Sequence, residues 1–416
     1  MRFPRINRKV VLLYLAIMGP GIITATADND AGGIATYSVV GASYGYEMLW
    51  MLVLITFSLG VVQEMCARMG AVTGKGLSDL IRENFGVRWT TLAMLVLLLA
   101  NFATTVADFA GIAAGLEIFG VSRYISVPLA ALMVWGLIVR GSYRFAEKIF
   151  FLFALFQGAY VLAGLVTPQD WGLALRSLVV PSFRLEANFV LLFIATIGTT
   201  ITPWMQFYLQ SSVVDKGITA SQYRYERLDV LVGAFVTDFV SFFIIITTAA
   251  TLHKAGIAIE TAQDAARALE PLAGAYSQQL FAAGLFGASM LAASIVPLST
   301  SYAICEAFGW ESGIGKSLDQ APAFYVLYTA LIATGAGLVL MPDLSLVRVM
   351  LISQSINGLL LPVVLIFMLL LVNNQRIMGK HVNGPAYNLI AWATTVAIIL
   401  LTVILVLSSA FPGFFR

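Results

Sequence analysis

The chain consists of long apolar runs separated by short polar connections. Eleven runs have roughly the 17–25 apolar residues, or more, that a membrane-crossing helix needs. Their hydrophobicity is continuous rather than alternating, which indicates helices and excludes a membrane β-barrel. The runs lie near residues 11–43, 47–69, 89–119, 124–140, 147–166, 188–214, 228–252, 275–309, 322–341, 345–372 and 386–412.

The first and sixth runs are interrupted by residues that an apolar helix does not normally carry. Residues 28–33 read DNDAGG in the first run, and residues 199–204 read TTITPW in the sixth. Backbone that leaves the helix at membrane depth is tolerated only where it lines a cavity or packs against protein. Two interrupted helices at corresponding places in the two halves of a membrane protein indicate a transport site.

Composition and charge support a polytopic membrane protein made of one domain, residues 1–416. The chain is 59% hydrophobic and 11% charged, with a mean hydropathy of +0.88. Most of its 24 Lys and Arg residues fall between spans on one side, which predicts a cytoplasmic N-terminus and an external C-terminus in the cell membrane. We expect the first span to be retained rather than cleaved as a signal peptide. A net charge of +2 gives no basis for a nucleic-acid partner, and we expect a monomer in the lipid bilayer.

The orientations of the spans predict an inverted repeat. Spans one to five, about 11–166, and spans six to ten, about 188–372, face opposite ways, and each set begins with its broken helix. The eleventh span, 386–412, is additional. This is the all-α layout of LeuT-like transporters with discontinuous helices 1 and 6.

Asp30 is the strongest candidate for chemistry in the first break. A carboxylate near the bilayer centre is costly and by default marks a functional site, although Asp30 could also simply cap the half-helix that follows. Asp28 would point elsewhere on a regular helix, and on unwound backbone it could line the vestibule. Gly33 either permits close helix contact or leaves room for water.

The second break offers oxygen ligands for a cation. Thr199, Thr200 and Thr202 supply hydroxyls, and Pro203 frees a carbonyl upstream. The alternative is a proline kink in which the threonine hydroxyls satisfy the helix's own carbonyls. Trp204 is expected to pack. Other polar groups at membrane depth are Asp108, Asp238, Glu306, Gln354 and Asn357.

An enzyme is disfavoured. The chain has two histidines, both in predicted loops, and no HExxH, GxSxG or CxxC motif occurs. Cys66 and Cys305 fall in apolar runs and are predicted to be buried thiols rather than a disulfide. No cofactor is expected apart from a transported ion.

The two breaks resemble those of the Nramp divalent-metal transporters. Residues 19–36, GPGIITATADNDAGGIAT, resemble the first Nramp helix with its Asp-Pro-Gly-Asn signature. Residues 198–212, GTTITPWMQFYLQSS, resemble the sixth helix with its Ala-x-x-Met-Pro-His pattern. The resemblance implies that Asp30 is the metal-binding aspartate and that the carbonyl of Thr199 is a ligand. Asp28 and Gln354 complete the set of candidate metal-site residues.

The departures from the family pattern change the expected cargo. The Asn of the signature becomes Gly33, the Met ligand becomes Thr202, and the His after the proline becomes Trp204. The acidic positions of span three read Thr105 and Asp108, and span nine lacks the family's arginines. Loss of the soft thioether leaves oxygen ligands that suit Mg²⁺, Ca²⁺ or Mn²⁺.

These features predict alternating-access import of largely hydrated Mg²⁺, and also of Mn²⁺, without proton coupling, as in the Nramp-related magnesium transporters. The first alternative is a proton-coupled Mn²⁺ or Fe²⁺ importer that uses Asp28 and Asp108 for protons. The second is a sodium-coupled transporter of an organic solute.

Overall fold

The computed structural model describes residue 24, residues 27–139, residue 156 and residues 158–410, with side chains up to residue 407. All regular secondary structure within these residues is helical. The first half of the first predicted span and half of the fifth lie outside them.

Twelve helices position the site, and most match the predicted spans closely. They are α1 (Ala31–Tyr44), α2 (Leu49–Thr73), α3 (Leu77–Glu117), α4 (Arg123–Val139), α5 (Gly158–Val166), α6 (Ala187–Thr200), α7 (Pro203–Asp215), α8 (Tyr223–Thr248), α9 (Ser277–Phe308), α10 (Pro322–Val339), α11 (Leu346–Val372) and α12 (Pro385–Ala410). Short helices, such as Trp171–Ser177 and Ala262–Ala266, lie in the connections.

Eight helical stretches in the described part are long and apolar enough to cross a membrane. One of them, Ala187–Asp215, contains both halves of the broken sixth span. Helix α4 is apolar but shorter than the other crossings. The chain is therefore an all-helical membrane protein over its described residues, while the count of eleven spans, the inverted repeat and the orientation of the termini stay predictions.

Both predicted breaks are present where they can be observed. Helix α6 ends at Thr200, Ile201 has the non-helical angles φ −119° and ψ 64°, and α7 begins at Pro203. Proline suits this first helical position because its missing N–H would have no partner there in any case. Helix α1 begins at Ala31 after an extended Asp30, so the first apolar run is also interrupted at the predicted place.

The helices form two groups that meet at the breaks. Helix α3 packs extensively against α9 and α11, while α8 packs against α2 and α1. Helix α6 joins the groups through α11. A Cβ atom on Gly198 of α6 would lie 2.1 Å from the carbonyl oxygen of Gln354 and 2.3 Å from the nitrogen of Gly358 in α11. This backbone-to-backbone approach requires glycine and fixes the second break against α11.

Two glycines of α3, Gly111 and Gly115, are four residues apart and let neighbouring helices approach closely. A Cβ atom on Gly111 would lie 2.3 Å from the Cβ atom of Ala31 and 2.4 Å from the hydroxyl of Ser289. Helix α3 thus approaches the start of α1 immediately after the first break. Cys66 and Cys305 are buried free thiols, as predicted.

Candidate functional site

The Asp30 carboxylate lies between the start of α1 and the middle of α11. Its Oδ1 atom accepts a hydrogen bond of 2.7 Å from the backbone N–H of Gly33, so Asp30 does cap α1. The Gln354 amide donates to both carboxylate oxygens, at 3.3 and 3.4 Å. The side chain is buried, and the helix N-terminus at which it lies favours negative charge. Capping and a position in the candidate site therefore occur together.

Gln354 is itself held in place by a chain of amides. The Asn357 amide donates to the Gln354 side-chain oxygen at 2.9 Å and to the Thr104 hydroxyl at 2.9 Å. A Cβ atom on Gly32 would lie 1.8 Å from the Gln354 amide nitrogen, so only glycine leaves room for this approach. These bonds orient the Gln354 amide towards Asp30 and connect the first break to α3 and α11.

Gly33 faces a group of oxygen atoms from both breaks. A Cβ atom placed on Gly33 would lie 3.1 Å from the Asp28 carbonyl oxygen, 3.1 Å from the Thr199 hydroxyl and 3.5 Å from Asp30 Oδ1. The absence of a side chain therefore leaves a small space between three oxygens. Three of the predicted site residues, together with Gly33, are brought together here.

The second break uses much of its own hydrogen-bonding capacity. The Thr202 hydroxyl donates to the carbonyl of Thr199 at 2.8 Å, and the Thr200 hydroxyl donates to that of Thr196 at 2.8 Å. Threonine hydroxyls thus satisfy the helix's own carbonyls, as the alternative interpretation predicts. The Thr199 hydroxyl is buried and has no hydrogen-bond partner, so it is available to a ligand beside Gly33. The Thr199 carbonyl oxygen has a second lone pair and can therefore accept one more hydrogen bond or contact a cation.

The carbonyl and the carboxylate of Asp28 have different neighbours. The carbonyl faces Gly33, whereas the carboxylate lies beside the side chains of Thr202 and Thr237 without accepting a hydrogen bond of normal geometry. Asn29 ties the same segment to α8 by donating to the Thr237 hydroxyl at 3.0 Å. This role of Asn29 was not predicted from the sequence, although an amide in an unwound segment is a usable signal.

Asp108 and Trp204 are two further residues near the breaks, and their surroundings differ. Asp108 is fully buried and lies close enough to Asp30 for their charges to interact, and no described residue forms a hydrogen bond with either of its carboxylate oxygens. Trp204 packs against Tyr208, with ring centroids 5.7 Å apart. Trp204 is therefore a packing residue in this structure, as expected.

The donor set favours a cation held mainly by neutral oxygens. No three His, Cys, Asp or Glu side chains are grouped for metal binding in the described ranges. A cation beside Asp30 would therefore use one or two carboxylates together with hydroxyl and carbonyl oxygens, while the Gln354 N–H group holds the Asp30 carboxylate. Such sets suit hard cations, and Mg²⁺ in particular keeps part of its water shell when bound in this way.

The chain is similar over most of its length to curated transporters. It is 28% identical over 395 residues to the divalent metal cation transporter MntH of Erwinia tasmaniensis, covering 92% of this chain and 91% of that protein. It is 26% identical over 421 residues to the MntH of Verminephrobacter eiseniae, covering 97% and 91%.

Solved structures share the fold. A manganese transporter of Eremococcus coleocola, crystallised with an aromatic bis-isothiourea compound, superposes with a TM-score of 0.74 at 21% identity, covering 100% of this chain and 90% of that one. MhsT in complex with L-phenylalanine, a LeuT-like neighbour, gives a TM-score of 0.58 at 12% identity, covering 97% and 100%.

The family model for natural resistance-associated macrophage protein-like proteins matches residues 21–408. That range includes both helix breaks and the network around Asp30. The chain therefore belongs to the Nramp family.

Proposed function

We propose that the chain is a divalent metal cation transporter that carries a hard cation, Mg²⁺ first and Mn²⁺ as well, by alternating access. Membership of the Nramp family and similarity to proteins named divalent metal cation transporters support the transport of divalent metal cations. The preference for Mg²⁺ is an inference from this chain's own residues.

One observation carries the preference for a hard cation: among the described residues, the atoms beside Asp30 that can ligate a cation are oxygens. Thr202 occupies the place of the family's thioether, and its hydroxyl is directed to the Thr199 carbonyl. Gly33 has no side chain where the family signature has Asn, which leaves space between oxygen atoms. A soft sulfur ligand would favour transition metals, whereas an oxygen site suits Mg²⁺ and Mn²⁺. Extra space would accommodate retained water on Mg²⁺.

The membrane potential is sufficient to drive import of such an ion. Two charges that cross about 100 mV gain roughly 4.6 kcal/mol, from about 2.3 kcal/mol per charge. Trp204 cannot accept a proton at the position where the family has His. We therefore propose import without stoichiometric proton movement.

A proton-coupled Mn²⁺ transporter is the second candidate, and specific observations favour it. The solved relative is called a manganese transporter, and the named relatives fit this candidate better than they fit magnesium. In addition, Asp28 and Asp108 are buried carboxylates without hydrogen-bond partners, which could hold protons. The third candidate, a sodium-coupled organic solute transporter, has only the fold similarity to MhsT behind it.

Purified protein in liposomes would distinguish these candidates. One arm measures Mg²⁺ entry under an inside-negative potassium diffusion potential, and a parallel arm records internal pH. We expect potential-dependent Mg²⁺ entry without matching acidification, and loss of entry in Asp30→Ala. Stoichiometric acidification would reject uncoupled transport, and entry that depends on sodium and an organic solute would support the third candidate.

A further inference from the structure

We propose that the carboxylates of Asp28 and Asp238 bind a second divalent cation next to the Asp30 site. The inference rests on the proposed function, because it assumes that divalent cations enter this part of the molecule. It adds a site on α8, a helix that contributes no ligand to the cation beside Asp30.

Two carboxylates without partners lie at this place. Asp28 is 2% exposed and Asp238 is 3% exposed, and none of their four carboxylate oxygens has a hydrogen-bond partner among the described residues. Their charges act on each other, so the two groups are neighbours across the contact between the first break and α8. Buried charge without a counterion is strongly unfavourable at membrane depth. When both carboxylates are ionised, the pair therefore requires positive charge.

Within the part of the chain that the structure describes, no basic side chain forms an ion pair with Asp28 or Asp238. Ion pairs between described residues occur elsewhere, at Glu47, Glu64, Glu83, Glu117, Glu186 and Glu311. Two carboxylates carry two negative charges, which one divalent cation neutralises. A monovalent cation would leave one charge uncompensated.

Neutral oxygens surround the pair and can complete a hard-cation shell. The Asp28 carboxylate lies beside the side chains of Thr202 and Thr237, and Asp238 lies beside Thr56 of α2. The Tyr37 hydroxyl is close to both carboxylates and is fixed by a hydrogen bond of 2.7 Å to the Thr200 hydroxyl. Oxygen-only shells of this kind bind Mg²⁺, Ca²⁺ and Mn²⁺.

The segment that would hold the ion is already anchored. The Asn29 amide donates to the Thr237 carbonyl at 3.3 Å and to its hydroxyl at 3.0 Å, and the Ser241 hydroxyl donates to Asn29 Oδ1 at 3.2 Å. These bonds fix Asn29, the neighbour of Asp28, to residues of α8 on either side of Asp238. Ligand sets whose supporting groups are fixed bind metal more tightly than mobile ones.

Asp28 connects the two sites. Its carbonyl faces the oxygens around Gly33, and its carboxylate faces Thr202 and Thr237. Four buried carboxylates, those of Asp28, Asp30, Asp108 and Asp238, carry at most four negative charges, which two divalent cations balance. We therefore expect simultaneous occupancy of both sites rather than exchange of one ion.

The test is the number of Mg²⁺ ions that the full-length protein binds in detergent, measured by equilibrium dialysis with metal analysis. The unsubstituted protein is expected to bind two. Asp238→Asn and Asp30→Asn are each expected to bind one, and the double variant none. Glu226→Gln is the matched control, because Glu226 is a buried carboxylate on α8 whose two oxygens also lack partners. It lies twelve residues from Asp238, roughly 18 Å along the helix, and should still bind two ions.

The outcomes separate this inference from the proposed function. If Asp238→Asn binds as many ions as the unsubstituted protein while Asp30→Asn binds fewer, the second site is wrong and the Asp30 site stands. If neither the unsubstituted protein nor any variant binds Mg²⁺, the proposed function fails as well. Two bound sodium ions in place of Mg²⁺ in a sodium buffer would overturn the divalent assignment.

A second measurement covers the case in which Asp238→Asn does not fold. Mg²⁺ is expected to raise the melting temperature of Asp30→Asn, because a ligand that binds the folded state stabilises it. The additional substitution Asp28→Asn should abolish that rise. A rise in melting temperature that persists in the variant carrying both Asp28→Asn and Asp30→Asn would contradict the proposal.

Discussion

The two helix breaks look alike in sequence but do different things in the structure. The first break contains carboxylates, and its side chains reach outward to α8 through Asn29 and to α11 through Asp30. The second break uses the hydroxyl of Thr202 on its own backbone and touches α11 through the backbone at Gly198. The first break thus supplies charge, whereas the second supplies shape and neutral oxygens. An interrupted helix in a transporter does not by itself identify which kind of contribution it makes.

The largest effect should come from removing the charge of the first break. Asp30→Ala deletes the carboxylate and also the cap on the Gly33 N–H. We expect transport to fall by more than about 100-fold, since even loss of groups that only support metal ligands costs roughly 10–100-fold. Initial rates of Mg²⁺ entry into proteoliposomes would measure this.

Asp30→Asn separates the two roles of this residue. An amide oxygen still accepts the helix-capping bond, so we expect near-normal thermal stability with transport still lost. Normal transport in Asp30→Asn would show that the carboxylate acts only as a cap. It would also contradict the conclusion that the first break contributes charge to the site.

Gly33→Ala tests the space where the breaks meet. The new Cβ atom would lie 3.1 Å from the Asp28 carbonyl oxygen and from the Thr199 hydroxyl, close to the position that a cation or its water would need. We expect Mg²⁺ affinity to fall by about tenfold, the lower part of the range for perturbed metal sites. Isothermal titration calorimetry would measure it.

The matched control for Gly33→Ala is Gly337→Ala, because a Cβ atom on Gly337 of α10 meets nothing within 4 Å. This control should leave affinity unchanged and stabilise its helix by about 0.5–1 kcal/mol. Equal affinities in Gly33→Ala and the control would mean that the cation does not use the space beside Gly33.

Thr202→Met changes the second break from oxygen to sulfur chemistry. A thioether favours transition metals, so the ratio of Mn²⁺ to Mg²⁺ uptake should rise several-fold, roughly threefold to tenfold. Paired uptake assays of both ions give this ratio, with Thr202→Ser as the control that keeps the hydroxyl. An unchanged ratio in Thr202→Met would place the side chain of residue 202 outside the ion's contacts.

Two glycine substitutions compare rigidity at the breaks through the free energy of unfolding. In Gly198→Ala the Cβ atom meets backbone of α11, whereas in Gly32→Ala it meets the flexible side chain of Gln354. Gly198→Ala should therefore destabilise by about 1–3 kcal/mol and Gly32→Ala by less. Thermal unfolding in detergent checks the order, and a reversed order would contradict the assignment of shape to the second break.

The breaks and helices could be predicted from the sequence because carboxylates and a Thr-Pro step are costly within apolar runs at membrane depth. Gln354 and Asp30 were both candidates, and their contact follows from the fold rather than from spacing, since 324 residues separate them. The direction of the Thr202 hydroxyl could not be predicted, because a threonine at a break can bond either its own helix or a ligand.

The contacts between distant helices could not be predicted from the sequence either, because they depend on how the helices pack. Asp238 could be recognised as a polar residue at membrane depth, yet its nearness to Asp28 depends on how α8 packs against α1. The approach of Gly198 to Gly358 likewise joins two helices through their backbones and has no local signal.

The most direct test of a hard-cation site is competition during transport. Uptake of Mn²⁺ at a fixed low concentration would be measured in proteoliposomes while external Mg²⁺ is raised from zero to a large excess. The oxygen ligands available beside Asp30 predict that Mg²⁺ suppresses Mn²⁺ uptake progressively, because both ions use the same ligands. Mn²⁺ uptake that is unaffected by excess Mg²⁺ would contradict this account and favour the proton-coupled manganese transporter.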